Sequence, residues 1–252
     1  MLEIKNISKT FNRGTIDEKV IFNDFNLSVP RGEFVCIIGS NGSGKTTILN
    51  LISGDIKADS GQIIINGKNI VKQKNYQRAK YLSRVFQNPS MGTCSSMTIL
   101  ENLSIADNKG KSFGLSWGLN HKRKKYYKEQ LELLGMGLEN RLDTLAGQRQ
   151  ALSMIMATLS KPDLLLLDEH TAALDPKSSD TIMNLTQKVV DEKNITTLMV
   201  THNLKHAVTY GDRTIMMHEG NIVIDVKSEE KKKKSIDDYL HIFNEISIEY
   251  GN

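Results

Sequence analysis

The stretch Phe34-Val35-Cys36-Ile37-Ile38-Gly39-Ser40-Asn41-Gly42-Ser43-Gly44-Lys45-Thr46-Thr47 joins an unbroken apolar run to a glycine-rich loop that ends on Lys-Thr. The apolar run reads as a buried strand. From Thr46 to Ile52 the residues suit a helix, and Gly54 falls just past its end, where a left-handed cap belongs. Strand, glycine loop and helix therefore follow one another in the order that a P-loop requires.

The residue types follow from the charge of a nucleotide triphosphate, which must be ringed by donors with no side chain in the way. Glycine permits that approach. Backbone N–H groups of the loop and the positive end of the helix dipole can cradle phosphates, Lys45 can reach the β and γ oxygens, and the Thr46 hydroxyl can coordinate Mg²⁺. The competing reading is a glycine-rich turn that matches by chance. Three glycines and Lys-Thr at this spacing, behind a strand, leave it little room.

With 252 residues, 39% of them hydrophobic, the chain can bury one sizeable core, elaborated at most by a subdomain. No apolar run approaches the ~20 residues that span a bilayer, and Met1-Leu2-Glu3-Ile4 starts a strand-like alternation where a signal peptide would be. A soluble, unexported protein is expected. Cys36 lies in the apolar strand and Cys94 in a polar loop, which offers neither a disulfide framework nor metal-ligand spacing and fits a reducing cytosol. Much of the net charge of +4 sits in two runs, His121 to Lys128 and Lys231 to Lys234. Solvated surface is the default for both. Nucleic-acid binding would need interleaved stacking aromatics or a recognisable module, and Tyr126 with Tyr127 is thin support. A contact between these lysines and anionic headgroups stays open.

Alternation around Leu2, Ile4 and Ile7, and again from Val20 to Leu27, predicts antiparallel strands ahead of the P-loop strand. Gly61 to Gly67 reads as a strand running into an Asn-Gly hairpin turn, so a small β subdomain should flank the nucleotide. Thr98-Ile99-Leu100-Glu101 is a capping box, and 122–134 continues as helix up to Gly135. A further helix is expected from Gln148 to Leu159. Leu164 to Leu167 then forms a buried strand ending in Asp168-Glu169, Pro176 opens a helix to about Glu192, and Thr196 to Thr201 is a strand ending at His202. Strands alternating with helices imply a parallel sheet with its ligand at the strands' carboxyl ends.

Four leucines followed by Asp168-Glu169 make a Walker B element: the Asp can hold Mg²⁺ through water and the Glu can polarise an attacking water. Four further pieces narrow the class: Gln87 ending the strand Tyr81 to Phe86, Gly147-Gln148-Arg149-Gln150-Ala151 before a helix, Ala173-Leu174-Asp175, and His202. Together, from Phe11 to the hairpin near Glu219-Gly220, the chain resembles an ABC-type ATPase subunit of the bacterial importer kind. The resemblance implies an α/β P-loop NTPase fold with a mixed-sheet core, an antiparallel β subdomain and an α-helical subdomain. It divides the chain into a nucleotide-binding core at 1–87 and 161–252 and a helical subdomain at 88–160.

The resemblance also implies roles. Phe11 matches the aromatic that stacks on adenine, with core filler as its competing reading. Gly39, Ser40, Asn41, Gly42, Ser43, Gly44, Lys45, Thr46 and Thr47 match the ATP-binding loop, Gln87 the glutamine that contacts Mg²⁺ and the attacking water, and His202 the switch histidine at the γ-phosphate. Glu169, His202 and Gln87 form the implied catalytic set, and Thr46, Gln87 and Asp168 the implied metal set. Asp175 matches the loop that communicates across a dimer. His170, His206, His218 and His241 receive no functional role, since an isolated histidine is more often packing than ligand. ATP and Mg²⁺ are the expected cofactors. A second ATPase subunit in a homodimer, integral membrane permease subunits and a solute-binding protein are the expected partners, and nucleic acid is not. The expected location is peripheral, on the cytoplasmic face of the cell membrane. A soluble ABC ATPase without a pore and a degenerate regulatory subunit are the alternatives.

One motif departs from the family. Where the signature reads Leu-Ser-Gly-Gly-Gln, this chain has Thr144-Leu145-Ala146-Gly147-Gln148, so Gly147 and Gln148 match and the serine is missing. Serine followed three residues later by glutamine is a capping box, and Leu145 cannot cap; Asp143 or Thr144 could do so only by starting the helix earlier. In family dimers the signature completes the other subunit's ATP site. Weakened nucleotide-dependent dimerisation is therefore expected.

Overall fold

The computed structural model describes residues 1–109, 121–132 and 146–241. Leu2, Ile4 and Ile7 are buried along β1 (Leu2–Phe11), which runs antiparallel to β2 (Lys19–Val29). After β3 (Phe34–Gly39) and α1 (Lys45–Ser53) come β4 (Ser60–Ile65) and β5 (Lys68–Asn69). The turn between them has Asn66 at φ 50° and Gly67 at φ 78°, the positive angles that a two-residue hairpin loop needs. These strands form a four-stranded antiparallel sheet in the order β2-β1-β4-β5.

Beyond them lie α2 (Asn75–Arg78), β6 (Leu82–Val85), a 3₁₀ turn (Pro89–Met91), α3 (Ile99–Asp107), α4 (His121–Glu132) and α5 (Ala146–Thr158). The chain continues through β7 (Leu164–Asp168), α6 (Pro176–Lys193), β8 (Thr196–Val200), α7 (Leu204–Thr209), β9 (Arg213–His218), β10 (Asn221–Lys227) and α8 (Ser228–Lys231). The second sheet runs β10-β9-β3-β8-β7-β6, parallel except for β10 at its edge. The mixed-sheet expectation is met.

Period-two alternation sorts the parallel strands between two cores. Val35, Ile37, Leu164, Leu166, Leu198 and Val200 face one cluster, shared with Ile48, Leu49 and Ile52 of α1 and the inner side of the outer sheet. Phe34, Cys36, Ile38, Leu165, Leu167 and Met199 face the other, shared with Met183, Val189 and Val190 of α6. Burial on both faces is why these strands read as unbroken apolar runs. Helix α1 is thereby fixed between the two sheets, and its far end is capped by the buried Arg78, whose guanidinium donates to the Leu51 and Ile52 carbonyls at 2.6 and 2.8 Å.

Around α3, α4 and α5 a third cluster gathers Ile99, Leu103, Tyr127, Leu131, Leu152 and Ile155. The capping box at Thr98 is present in both directions, with Glu101 returning a bond to the Thr98 N–H. Helix α4 is described to Glu132, so the stop expected at Gly135 lies outside the described residues.

Most lysines of the two basic runs are exposed, as expected, but each run has a buried member. Tyr127 is buried and donates to Asp107 at 2.8 Å, which makes the first run the polar face of a packed helix. Lys231 is 4% exposed and its ammonium donates to the Tyr210 and Gly211 carbonyls. Those carbonyls precede β9 at a turn, and a buried cation is tolerated where backbone oxygens surround it.

Candidate functional site

The loop between β3 and α1 is shaped around what it lacks. Gly39 has φ 142°, and a Cβ there would lie 2.0 Å from the Met217 carbonyl oxygen of the paired strand. Gly44 precedes α1 at φ 101°, and a Cβ there would lie 2.7 Å from the Phe22 ring. Any other residue would strain the backbone and push the strands apart. As the N-cap of α1, Gly44 supplies no side-chain bond, so the first-turn N–H groups of α1 have no side-chain acceptor from it.

Lys45 is 5% exposed, and its ammonium donates to the carbonyls of Gly39 at 2.8 Å and Ser40 at 2.7 Å. Burial pulls its pKa below the ordinary lysine value, and the nearby Glu169 charge opposes the shift. Beneath the loop, the Ser40 hydroxyl lies 3.3 Å from Nδ1 of His218, a residue given no role by the sequence reading. The Gly220 N–H donates to the Ser43 carbonyl at 3.1 Å. The Ser43 hydroxyl is buried and has no hydrogen-bond partner among the described residues. A cleft of ≈ 480 Å³ opens over Ser40 to Ser43, walled by Lys19, Ile21 and Glu219.

At the end of β7 two adjacent carboxylates part company. Asp168 keeps the alternation of Leu164 and Leu166 and turns toward α1, where its Oδ2 pairs with Arg84 at 2.5 Å. Glu169 takes φ 48°, which breaks the strand and carries its carboxylate to Nε2 of His202 at 2.6 Å, just past β8. A second cleft of ≈ 470 Å³ begins at this pair and runs between the 171–176 loop and α7. On its wall, Oδ1 of Asp180 is 3.2 Å from Nε2 of the buried His206.

The other sequence candidates are placed less centrally. Phe11 ends β1 opposite Lys19, half-buried, with the Lys9 ammonium 5.2 Å from its ring centroid. Gln87 lies two residues past β6 and is exposed. Thr46 is exposed and Thr47 half-buried at the start of α1. Thr144 and Leu145 lie outside the described residues; Ala146 opens α5, Gly147 is packed near Ser178 of α6, and Gln148 is exposed. Among the described residues, no hydrogen bond or ion pair joins Gly147 or Gln148 to the glycine loop. Asp175 caps α6 by accepting from the Ser178 N–H at 3.1 Å, and its bonds to Ser178 hold its pKa below the ordinary aspartate value.

Residues 22–172 match the ABC transporter family. The chain belongs to that family. It is 52% identical over 248 residues to the tyrosine transport ATP-binding protein of Clostridioides difficile (strain R20291), covering 96% of this chain and 98% of the relative. It is 35% identical to the spermidine/putrescine import ATP-binding protein of Spiroplasma citri, covering 88% of this chain, which spans 60% of that relative's length. Among solved structures, a dimeric post-hydrolysis ATP-binding cassette bound to ADP and Pi superposes with TM-score 0.75 at 28% identity, covering 90% of this chain and 98% of that one. The protein is thus an ATP-binding subunit of an ABC transporter and an ATPase.

The ABC ATPase site fits its nucleotide by shape and donor chemistry: glycines where a Cβ would collide, a buried cation, and an uncapped helix start. Its oxygen donors, the exposed Thr46 hydroxyl and the partly exposed Asp168 carboxylate at the end of β7, are of the kind Mg²⁺ takes while keeping several waters. Besides His218, two residues were given no role by the sequence reading. Gln150 of α5 is 1% exposed and donates to the Phe86 carbonyl at 3.1 Å, tying the signature helix to the strand that ends before Gln87. Arg84 stands in an otherwise buried strand, and an arginine in such a strand demands an anion; that signal was available.

Proposed function

We propose that this ATPase works as one of two copies that drive solute import through separate membrane subunits, from the cytoplasmic face of the membrane. The support for pairing is the dimeric cassette it resembles, and for import the naming of its relatives. A relative that matches along nearly its whole length at 52% identity is named for tyrosine, which makes an aromatic amino acid the first solute to test, delivered by a solute-binding protein. Among the described residues no helix is long and apolar enough to cross a membrane.

The observation that carries the catalytic reading is the Glu169–His202 pair, 2.6 Å apart, at the strand end beside a glycine loop with an uncapped helix start. In this reading Gly39 to Thr47 hold the phosphates, Phe11 takes one face of the adenine, and Lys45 leaves its loop carbonyls for the β and γ oxygens. Thr46, Gln87 and Asp168 would hold Mg²⁺, which when bound would offset charge on the transferring phosphoryl group. Glu169 orients the attacking water and accepts its proton, and His202 keeps that carboxylate in place while itself reaching the γ-phosphate. Residues 88–160 serve as the helical subdomain that docks on the membrane partner.

Ala146, Gly147, Gln148 and Asp175 form the dimer-facing set, with the signature shortened. One lost donor to a charged phosphate is worth roughly 1.5–3 kcal/mol, and an equivalent transition-state donor ~10²–10³ in rate. ATP binding by a single chain is preserved and pairing is weakened. ATP hydrolysis measured across protein concentration, with Glu169→Gln subtracting background, should rise faster than linearly. No activity above that variant would overturn catalysis by the isolated chain and favour a subunit that needs its membrane partner or an active mate. A Glu169→Gln chain with Leu-Ser-Gly-Gly-Gln restored should dimerise with ATP more tightly; equal dimerisation refutes the weakened pairing.

A further inference from the structure

The guanidinium of Arg84 sits between α1 and β7, with 9% of its side chain exposed. Nη2 pairs with Oδ2 of Asp168 at 2.5 Å, and Nη1 donates to Oδ1 of Asn50 at 2.7 Å and to Oδ2 of Asp55 at 2.9 Å. Its central carbon also lies 4.9 Å from the ring centroid of Phe86, the residue before Gln87. The register explains the reach. Arg84 stands opposite Leu166 of β7, so its side chain falls on the face that carries Asp168 two residues later. Asn50 follows Thr46 by four residues and therefore shares its face of α1. One side chain thus links the strand that leads to Gln87, the helix that starts with Lys45 and Thr46, and the strand end that carries Asp168.

We propose that Arg84 is a positioning residue for the divalent cation: it anchors one oxygen of Asp168 against the Thr46 face of α1 and leaves Oδ1 as the oxygen available to the cation's hydration shell. The inference rests on the reading of Asp168 and Thr46 as cation-side residues. Loss of a group that orients a metal-facing ligand typically costs roughly 10–100-fold in metal affinity or activity. A planar fork with separate donors can serve three acceptors in fixed directions, which a lysine point charge cannot.

The test is binding of a fluorescent ATP analogue to the full chain, titrated with Mg²⁺ and repeated in EDTA. For Arg84→Met the Mg²⁺ concentration giving half-maximal binding should rise about tenfold, while affinity in EDTA stays at the wild-type level. Arg84→Lys keeps the charge and should give a smaller rise. An unchanged Mg²⁺ requirement in both variants overturns the proposal. So does a lowered requirement in Arg84→Met, the result expected if Arg84 only repels the cation. Should a thermal melt show that Arg84→Met does not fold, Arg84→Lys decides alone by the same criterion. Asp168→Asn separates the two levels: if it leaves the Mg²⁺ requirement unchanged, the cation-side reading itself fails, whereas a rise there without one at Arg84 sinks only the present inference.

Discussion

Helices α1 and α6 both begin where a strand of the same parallel sheet gives out, yet their first turns are finished in opposite ways. Asp175 closes α6, its carboxylate accepting from the Ser178 N–H with Pro176 set at the start of the helix. At α1 the corresponding residue is Gly44, at φ 101° and with no side chain to offer. A helix start concentrates unsatisfied N–H groups and roughly half a positive charge. In α6 a side chain of the chain itself answers that charge; in α1, under the proposed reading, the answer is left to the nucleotide. The same physics therefore yields a structural joint at one strand end and, in that reading, a binding site at another. What separates them is one residue's side chain and the buried lysine beside it.

Breaking α1's side of the comparison should have the largest effect. Lys45→Ala removes a buried cation and leaves the Gly39 and Ser40 carbonyls without that donor. ATP affinity should fall on the order of 10²-fold, given ~1.5–3 kcal/mol for each charge-assisted bond to phosphate, as read by equilibrium binding. Gly44→Ser asks whether α1 can be converted into an α6. The hydroxyl is a good cap in principle, but the left-handed backbone and the Phe22 ring 2.7 Å from the new Cβ oppose it. Stability should drop by at least ~1–2 kcal/mol and ATP binding with it; a gain in melting temperature would mean the loop is not held in this conformation.

The floor beneath α6 supplies the next comparison. Nε2 of the buried His170 is 3.2 Å from the Thr186 hydroxyl, and burial, with the neighbouring His206, pushes its pKa down to about 3. The unfolded chain therefore binds this proton more readily than the folded one. Its contribution is intact above pH 6.5 and is lost as the pH falls toward the folded-state value. By pH 5 that loss should reach about 2 kcal/mol relative to pH 7, and His170→Gln should flatten the acid limb of a urea-midpoint profile. His206, whose pKa burial also lowers, acts in the same direction and should leave a residual slope. The smallest effect is expected from Thr98→Ala, which uncaps α3: stability should fall by ~1 kcal/mol in denaturant titration, with ATP affinity unchanged.

Features of the site set by local chemistry were legible in the sequence. The glycine loop, the Thr98 capping box and the two-faced apolar strands are each decided within a few residues, by sterics, by capping or by period-two burial. Features set by distant partners were not. Arg84 meets Asp168 because β6 and β7 pair in register, and Asn50 and Asp55 because α1 packs beside them, and nothing near position 84 names those three. Lys231 reads as one member of a solvated run until the 228–231 helix packs it onto the carbonyls before β9. His218 joins the glycine loop because β9 is the neighbour of β3, a sheet order that alternation alone does not specify.

The most direct test of the contrast between the two helix starts is amide hydrogen exchange with and without ATP and Mg²⁺, read at the first turns of α1 and α6. Nucleotide should strongly slow exchange at Gly44, Lys45, Thr46 and Thr47 and leave Lys177, Ser178 and Ser179 unchanged in the monomer. Equal protection at both helix starts, or none at α1, would contradict the account.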